Sequence, residues 1–169
     1  MRATAFLDIQ PVRNGLGIVA LKSFAPGAHI CEIRGAVLTS DQVWDLWKDD
    51  PLAAANCFRL NAQQYISPRN MIGAYANHSC NPNVAVVALR EWLVFKAIRP
   101  IERGCELTHD YATLLGDDDI WQMDCNCGEA SCRATIARFS RLPHAVRRRY
   151  QAMGAIPDYI LATLDSTPR

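Results

Sequence analysis

Hydrophobic and polar positions alternate in short runs along the first hundred residues, a pattern typical of short β-strands. The runs are bounded by turn signals, at PVRNGLG (11–17) and at Pro26-Gly27. The segments predicted as strands are TAFLDI, GIVALKSF, HICEIRGAVL, CFRLNAQQYI (57–66), VAVVAL, EWLVFKAI and CELTHDY. This pattern predicts a β-rich, mixed α+β chain in which VAVVAL and EWLVFKAI form a hairpin.

One helix is predicted inside this β-rich region, at SDQVWDLWKDDP. Val43, Leu46 and Trp47 fall on one face of such a helix, which indicates that this face is buried. Ser40 or Asp41 can cap its N-terminus, since short polar side chains accept hydrogen bonds from the first free backbone N–H groups.

Two more short helices are predicted near the C-terminus, at LPHAVRRRYQAM and PDYILATL, separated by Gly154. Strands do not alternate with long helices anywhere in the chain, which argues against a doubly wound parallel sheet. The GLG at 15–17 lacks the third glycine and the following helix of a dinucleotide-binding motif, so that interpretation fails.

Composition and charge narrow the function classes. Half of the residues (50%) are hydrophobic and 21% are charged, as in soluble globular proteins. The formal net charge is +1, so any attraction to nucleic acid or membrane has to come from a local patch. The sequence contains neither an apolar run near the roughly 20 residues of a membrane span nor a secretory leader. We therefore expect an intracellular, cytoplasmic protein, with a nucleus or a host cell left open.

Seven cysteines in such a chain favour metal ligation or buried thiols over a disulfide framework. Cys125, Cys127 and Cys132 form C-x-C-x4-C, with Gly128 permitting a tight turn. Structural zinc takes four ligands in a tetrahedron, so three local thiolates leave one position, for which Cys80 is the candidate. The alternative is three reduced thiols without a metal.

Four segments in order resemble one family. NHSCNPN (77–83), GCELTHDYA (104–112) and CNCGEASCR (125–133) look like the motifs of SET-domain protein lysine methyltransferases that carry a post-SET zinc loop. NGLGIVALKSFAPGAHICEIRG (14–35) is similar to the opening segment of that family. The resemblance implies a SET-domain (β-clip) fold of several small sheets, a C-terminal pseudoknot in which NHSC and ELTHDY cross, a post-SET zinc loop and short C-terminal helices.

The resemblance also implies an organisation and an activity. Residues 1–115 would form the SET domain, with a variable insertion at about 40–66 that shapes the substrate groove. Residues 116–136 would form the zinc loop and 137–169 a helical tail. The implied activity is methyl transfer from S-adenosylmethionine to the ε-amine of a lysine in a histone or another protein. One structural Zn²⁺ would be held by Cys80, Cys125, Cys127 and Cys132.

The resemblance also implies roles for individual residues of the site. Tyr111 matches the catalytic tyrosine, whose hydroxyl lies near the transferred methyl group. Asn77 and His78 match the pair that contacts the adenosine part of the cofactor. The next cofactor-binding candidates are Gly15, Leu16 and Gly17, which form the glycine turn and of which Leu16 offers only its backbone. Ile136 is the candidate for an apolar cover of the adenine.

Four positions depart from the family pattern, one of them Ala134, where CRA replaces a usual CRG. His109 stands where the family commonly has Phe or Tyr, and Ile33 replaces a frequent tyrosine. Both positions line the lysine channel in the family, so channel selectivity and the number of methyl groups added stay open. Ala74 stands where an Arg is usual. These departures motivate an alternative: a SET-like module that binds cofactor or peptide with little or no catalysis.

The tail carries a local positive charge through Arg133, Arg138, Arg141 and residues 147–149. We interpret these arginines as a solvated helix face, with contact to DNA or an acidic partner as the alternative. A third hypothesis, a zinc-ribbon-like nucleic-acid binder, conflicts with the near-neutral overall charge. The acidic GDDD (116–119) is predicted to be a flexible lead into the zinc loop.

Overall fold

A computed structural model describes residues 5–89 and 92–165, with side chains up to residue 162. Thr4 and Glu91, which begin two predicted strands, and residues 166–169 of the predicted tail lie outside the described residues. The described strands are β1 Leu7–Val12, β2 Gly15–Ala20, β3 His29–Ile33, β4 Ala36–Thr39, β5 Phe58–Arg59, β6 Gln64–Ser67, β7 Asn77–His78, β8 Val84–Leu89, β9 Trp92–Ala97, β10 Thr108–His109, β11 Met123–Asp124 and β12 Thr135–Ile136. The helices are α1 Ser40–Asp49, α2 Pro51–Ala55, α3 His144–Ala152 and α4 Asp158–Asp165.

The strands form small sheets of two or three members, as expected for this β-rich chain. β1 and β2 form a hairpin, β11 pairs with β12, and two three-stranded sheets have the orders β3-β9-β8 and β4-β6-β5. The predicted hairpin of VAVVAL with the following strand is confirmed as β8 and β9. The main core lies between these sheets and is filled by fully buried aliphatic and aromatic side chains, among them Ile18, Ile33, Ile66, Phe95 and Ile101.

Two predicted strands are each divided in the structure. HICEIRGAVL is interrupted at Gly35, where a Cβ would collide with the backbone of Ser67. CFRLNAQQYI is a hairpin of β5 and β6, because the Asn61 side chain accepts hydrogen bonds from the backbone N–H groups of Gln63 and Gln64. An asparagine that bonds the backbone in this way forms a turn that hydrophobic alternation alone does not reveal.

The predicted helix α1 is confirmed, but its cap is neither Ser40 nor Asp41. Thr39 is the N-cap, and its hydroxyl accepts from the backbone N–H of Gln42 while the Gln42 side chain accepts from the Thr39 N–H. This reciprocal capping box satisfies two backbone donors and shifts the helix start by one residue. Pro51, which follows the end of α1, occupies the first turn of α2.

The central feature of the fold is a crossing of two distant chain segments. β10 runs parallel to β7, with Thr108 opposite Asn77 and His109 opposite His78. On its other side the segment before β10 hydrogen-bonds to β2, where the Leu107 N–H donates to the Ile18 carbonyl at 2.7 Å. The chain between Cys105 and His109 therefore lies between β2 and the 77–83 loop, which confirms the predicted crossing of NHSC and ELTHDY.

The two C-terminal helices are confirmed and pack on the rest of the chain. A second core cluster joins residues of this tail, including Phe139, Tyr150 and Ile160, to Ala85 of β8 and to Ala112. The boundaries at residues 115 and 136 stay predictions. In the described part of the chain, none of the helices has the length and apolar character needed to cross a membrane.

Asn83 closes the crossing, and its loss should destabilise the whole fold. Its side chain donates to the Glu106 carbonyl at 2.7 Å and accepts from the Thr108 N–H at 3.0 Å in a buried position. Asn83→Ala leaves both backbone groups unsatisfied, so we expect a loss of about 2–4 kcal/mol in the free energy of unfolding. Urea denaturation measures this, with exposed Gln63→Ala as the control, expected within about 0.5 kcal/mol of wild type. Equal stabilities of the two variants would contradict the role of Asn83.

Candidate active site and metal centre

Tyr111 lies directly after the crossing and is held at both ends. Its backbone N–H donates to His78 Nδ1 at 3.2 Å, and its hydroxyl donates to the Ala76 carbonyl at 2.9 Å. Burial, with a smaller contribution from the Glu106 carboxylate, raises the pKa of Tyr111 to about 12. The side chain is therefore a neutral phenol with a fixed orientation.

A cavity of about 250 Å³ reaches the Tyr111 ring. Its walls come from α1, α2, β5, β6, the turn before β7 and the segment that leads into the cysteine-rich loop. The cavity is strongly aromatic, because its lining includes Trp44, Trp47, Phe58, Tyr65, His109, Tyr111 and Trp121. Sequence reasoning placed Trp47 on a buried helix face and missed Trp121, which lies in a stretch that looked uniformly polar.

His109 forms part of the cavity wall, and its role in a lysine channel stays a prediction. Its ring stacks on Phe58, with 5.3 Å between ring centroids, and lies 4.8 Å from the Tyr111 ring. Burial, aided by nearby His78, lowers the pKa of His109 to about 3, so the ring is neutral. Its Nδ1 atom is buried without a hydrogen-bond partner among the described residues.

Ile33, the other predicted channel residue, lies elsewhere. It is fully buried in the main core on β3 and is not among the residues that line the cavity. Its role in the channel stays a prediction.

The acidic run at 116–119 is not the flexible lead that its composition predicts. Buried Arg59 of β5 donates to Asp118 at 2.7 and 2.8 Å and to Asp119 at 2.8 Å. The same guanidinium lies 4.7 Å from the ring centroid of Tyr159 in α4. These contacts fix the segment that precedes Trp121, whose ring lies 6.3 Å from that of Tyr111 at the cavity.

The predicted cofactor-binding residues of the glycine turn and of β7 are in contact. The Asn77 side chain donates to the Leu16 carbonyl at 3.1 Å and to Glu106 Oε1 at 2.8 Å. A Cβ at Gly17 would collide with the Glu106 and Val12 side chains, so glycine permits this close approach without a shift of either. Gly15 has a φ of +93°, which glycine adopts readily, and open space where a Cβ would be. The turn thus exposes its backbone to a ligand, as an adenosine-bearing cofactor would need.

His78 connects this site to the cysteines. Burial lowers the pKa of His78 to about 4, so the ring is neutral and carries one hydrogen. Nδ1 accepts from the Tyr111 N–H, which places that hydrogen on Nε2. Nε2 lies 3.3 Å from Cys80 Sγ, so the ring donates to this sulfur.

Three of the four predicted metal ligands, Cys80, Cys125 and Cys127, come together in the structure with His78, while Cys132 is not part of this group. The ligand atoms of His78, Cys80, Cys125 and Cys127 all lie within 4.8 Å of one another. The thiol of Cys132 is within hydrogen-bonding reach of both Cys125 and Cys127. Because His78 Nε2 carries a hydrogen that points at Cys80, it has no lone pair for a metal. This tautomer favours the predicted set of four thiols, which would fit a tetrahedral zinc site and stays a prediction.

The thiol of Cys127 loses its proton more readily than an ordinary cysteine thiol, because its pKa is lowered. Burial acts to raise the pKa of Cys127, but backbone N–H groups of Cys80 and Glu129 donate to its sulfur and help to lower the pKa to about 7. Burial raises the pKa values of Cys80 and Cys125, which a bound cation would reverse.

Ile136, the predicted adenine cover, is buried on β12 opposite Met123 of β11. No contact of the described residues tests that role, and it stays a prediction.

The similarity of this chain to known proteins identifies its family. A family model described as SET domain matches residues 15–112. The chain belongs to the SET-domain family. That match contains the glycine turn, β7, Cys80 and Tyr111, while Cys125, Cys127 and Cys132 lie beyond it.

Relatives of this SET domain carry consistent names. The chain is 29% identical over 152 residues to "Histone-lysine N-methyltransferase Su(var)3-9" of Drosophila melanogaster, covering 73% of this chain and 23% of the relative. It is 29% identical over 140 residues to "Histone-lysine N-methyltransferase ASHH3" of Arabidopsis thaliana, covering 76% of this chain and 37% of the relative. It is also 29% identical over 132 residues to "Histone-lysine N-methyltransferase set-2" of Caenorhabditis elegans, covering 73% of this chain and 9% of the relative. The chain thus spans well under two thirds of the length of these relatives.

The four-thiol assignment predicts the metal content of single variants. Elemental analysis should find about one zinc per chain in wild-type protein. Cys132→Ser should lose the metal, because zinc then keeps three of its four ligands, whereas exposed Cys105→Ser should keep it as a matched control. If Cys132→Ser keeps its full zinc content while His78→Ala loses the zinc, the fourth ligand is His78 and not Cys132.

Proposed function

We propose that this chain is a protein-lysine N-methyltransferase that uses S-adenosylmethionine. One observation carries the proposal: Tyr111, at the wall of an aromatic cavity, is fixed at both ends by the residues that flank the predicted cofactor-binding residue Asn77. Its backbone N–H donates to His78, and its neutral hydroxyl donates to the Ala76 carbonyl. Membership of the SET-domain family and the names of the relatives support the same conclusion.

Two sets of residues would hold the cofactor. The backbone of Gly15, Leu16 and Gly17 would contact its methionine and ribose portion, and Asn77 with His78 its adenosine portion, with Ile136 as an apolar cover. When bound, the cofactor supplies an electrophilic methyl group on a sulfonium sulfur. The Asn77 side chain keeps the glycine turn close to β7, so both parts of this surface would be fixed before binding.

The cavity would receive the target lysine and help to neutralise it. A free lysine amine has a pKa of about 10.4 and cannot act as a nucleophile while protonated. Loss of water in a cavity lined by side chains such as Trp47, Phe58 and Trp121 would disfavour the ammonium form and lower that pKa, and so would the positive charge of a bound sulfonium. The Tyr111 hydroxyl gives its hydrogen to Ala76, which leaves oxygen lone pairs for the amine N–H or for the polarised methyl group.

The substrate would be a histone or another protein, inside the cell. His109 lies at the cavity wall, where it would influence how many methyl groups the lysine accepts. The polar ring in this position is also the observation that favours the second candidate, a SET-like module that binds cofactor or peptide without useful catalysis.

Two measurements separate these candidates. Calorimetry with S-adenosylmethionine tests binding, and transfer of labelled methyl groups to histones and lysate proteins tests catalysis. The methyltransferase requires both, with mass spectrometry locating the label on lysine. Binding without transfer to any substrate would favour the module.

Removal of the Tyr111 oxygen should abolish transfer while sparing cofactor binding. We expect Tyr111→Phe to lower kcat by about 10²-fold or more, because an oriented dipole at the reacting centre is lost. The partly buried Tyr75, outside the cavity lining, provides the control Tyr75→Phe. Label-transfer kinetics with both variants measure the difference, and normal turnover by Tyr111→Phe would exclude the proposed role.

The pH dependence should report the substrate amine and not Tyr111. Because the pKa of Tyr111 is raised to about 12, its phenol stays protonated across the assay range. We expect kcat/KM to rise about tenfold per pH unit between roughly pH 6.5 and 8.5 and to level off as the lysine becomes neutral. A decline in kcat/KM between about pH 8 and 10, with the protein still folded, would contradict this expectation. It would show that catalysis requires the protonated form of a tyrosine or another acid whose pKa is much lower than that of Tyr111.

A further inference from the structure

Two residues beyond the family match converge on the residue next to Tyr111. Asp110 Oδ1 accepts from the Arg133 guanidinium at 2.7 Å, and its Oδ2 accepts from the Tyr150 hydroxyl at 2.8 Å. Arg133 follows the last cysteine of the zinc loop, and Tyr150 lies on α3 of the tail. Three separate parts of the chain therefore meet at one carboxylate.

This carboxylate is costly to bury and depends on its partners. Asp110 is 1% exposed, and an ionised carboxylate in such a place destabilises the fold unless it is paired and hydrogen-bonded. Arg133 supplies the opposite charge and Tyr150 a hydrogen bond to the other oxygen. If either partner is lost, Asp110 has to move or admit water.

The orientation of Asp110 in turn determines the start of the turn that carries Tyr111. Asp110 caps the 3-10 turn Tyr111–Leu114, and its Oδ1 accepts from the Ala112 N–H at 3.2 Å. The same oxygen lies 3.6 Å from His78 Nδ1, the atom that accepts from the Tyr111 N–H. A shift of the carboxylate would therefore move the backbone on both sides of Tyr111.

Tyr150 is built to hold that position. It is 2% exposed and belongs to the second core cluster with Phe139 and Leu142, so its ring has little freedom to move. Its hydroxyl is the one side-chain polar atom that this cluster directs at Asp110 among the described contacts.

We propose that Tyr150 and Arg133 are positioning residues for Tyr111, and that the C-terminal tail is thereby a working part of the active site. The inference rests on the proposed methyltransferase function. It concerns orientation only: neither side chain lines the cavity, and neither would touch the substrate lysine.

Tyr150→Phe tests this with a closely matched control. Tyr159 also lies in the tail, and its hydroxyl donates to the Leu114 carbonyl at 2.9 Å, so Tyr159→Phe removes one tail-to-core hydrogen bond without affecting Asp110. Both variants should lower Tm by about 3 °C. Well below both transitions, Tyr150→Phe should lower kcat about tenfold or more with cofactor Kd unchanged, because small displacements of a reacting group are costly. Tyr159→Phe should keep kcat within about twofold of wild type.

A second readout does not need turnover. In ¹⁵N-labelled protein, the amide resonance of Tyr111 should shift in Tyr150→Phe and stay in place in Tyr159→Phe. Arg133→Lys, which keeps the charge, should retain more activity than Arg133→Gln at equal zinc content.

The outcomes separate the two proposals. A wild-type protein that transfers no methyl group to any substrate would overturn the proposed function, and the Tyr111 resonance would still decide the inference. An active wild type with an equally active Tyr150→Phe, or an equal loss in both tyrosine variants, would overturn the positioning role and leave the function in place.

Discussion

The structure depends on the passage of residues 105–109 between β2 and the 77–83 loop. Parallel pairing of β7 with β10 places Asn77 and His78 beside Thr108 and His109, so residues about thirty positions apart form one surface. The turn that follows carries Tyr111, while the loop that follows β7 carries Cys80. Because one crossing positions the predicted cofactor-binding residues, the phenol and the first thiol, we expect a disturbance at any of them to affect the others.

Several buried polar groups around the crossing are satisfied by partners from other parts of the chain. His78 is the clearest case, since one neutral ring accepts from the Tyr111 backbone and donates to the Cys80 sulfur. Asp110 joins the zinc loop and the tail to the same turn, and Arg59 joins the insertion to the segment before Trp121. Such networks are costly when incomplete, which is why they specify one arrangement of segments that short strands alone would hold weakly.

Sequence reasoning recovered what local patterns and motif residues encode. Hydrophobic alternation predicted the β8–β9 hairpin, and the family resemblance of the NHSC and ELTHDY motifs implied the crossing. It missed features that depend on distant partners: Tyr150 looked like an ordinary helix residue until Asp110 appeared beside it, and the acidic run at 116–119 looked mobile because buried Arg59 could not be foreseen. Thr39 was missed as a cap for a local reason, since the Gln42 side chain completes the capping box one residue earlier than expected.

The most direct test of this account is to remove the metal from otherwise intact protein and follow the chemistry. The four thiols touch no part of the cavity, yet Cys80 is linked through His78 to Tyr111. Treatment with a chelator should therefore abolish methyl transfer and expose residues 123–141 to proteolysis, and added zinc should restore both. Full methyl transfer by metal-free protein would contradict the claim that one crossing serves the metal centre and the active site together.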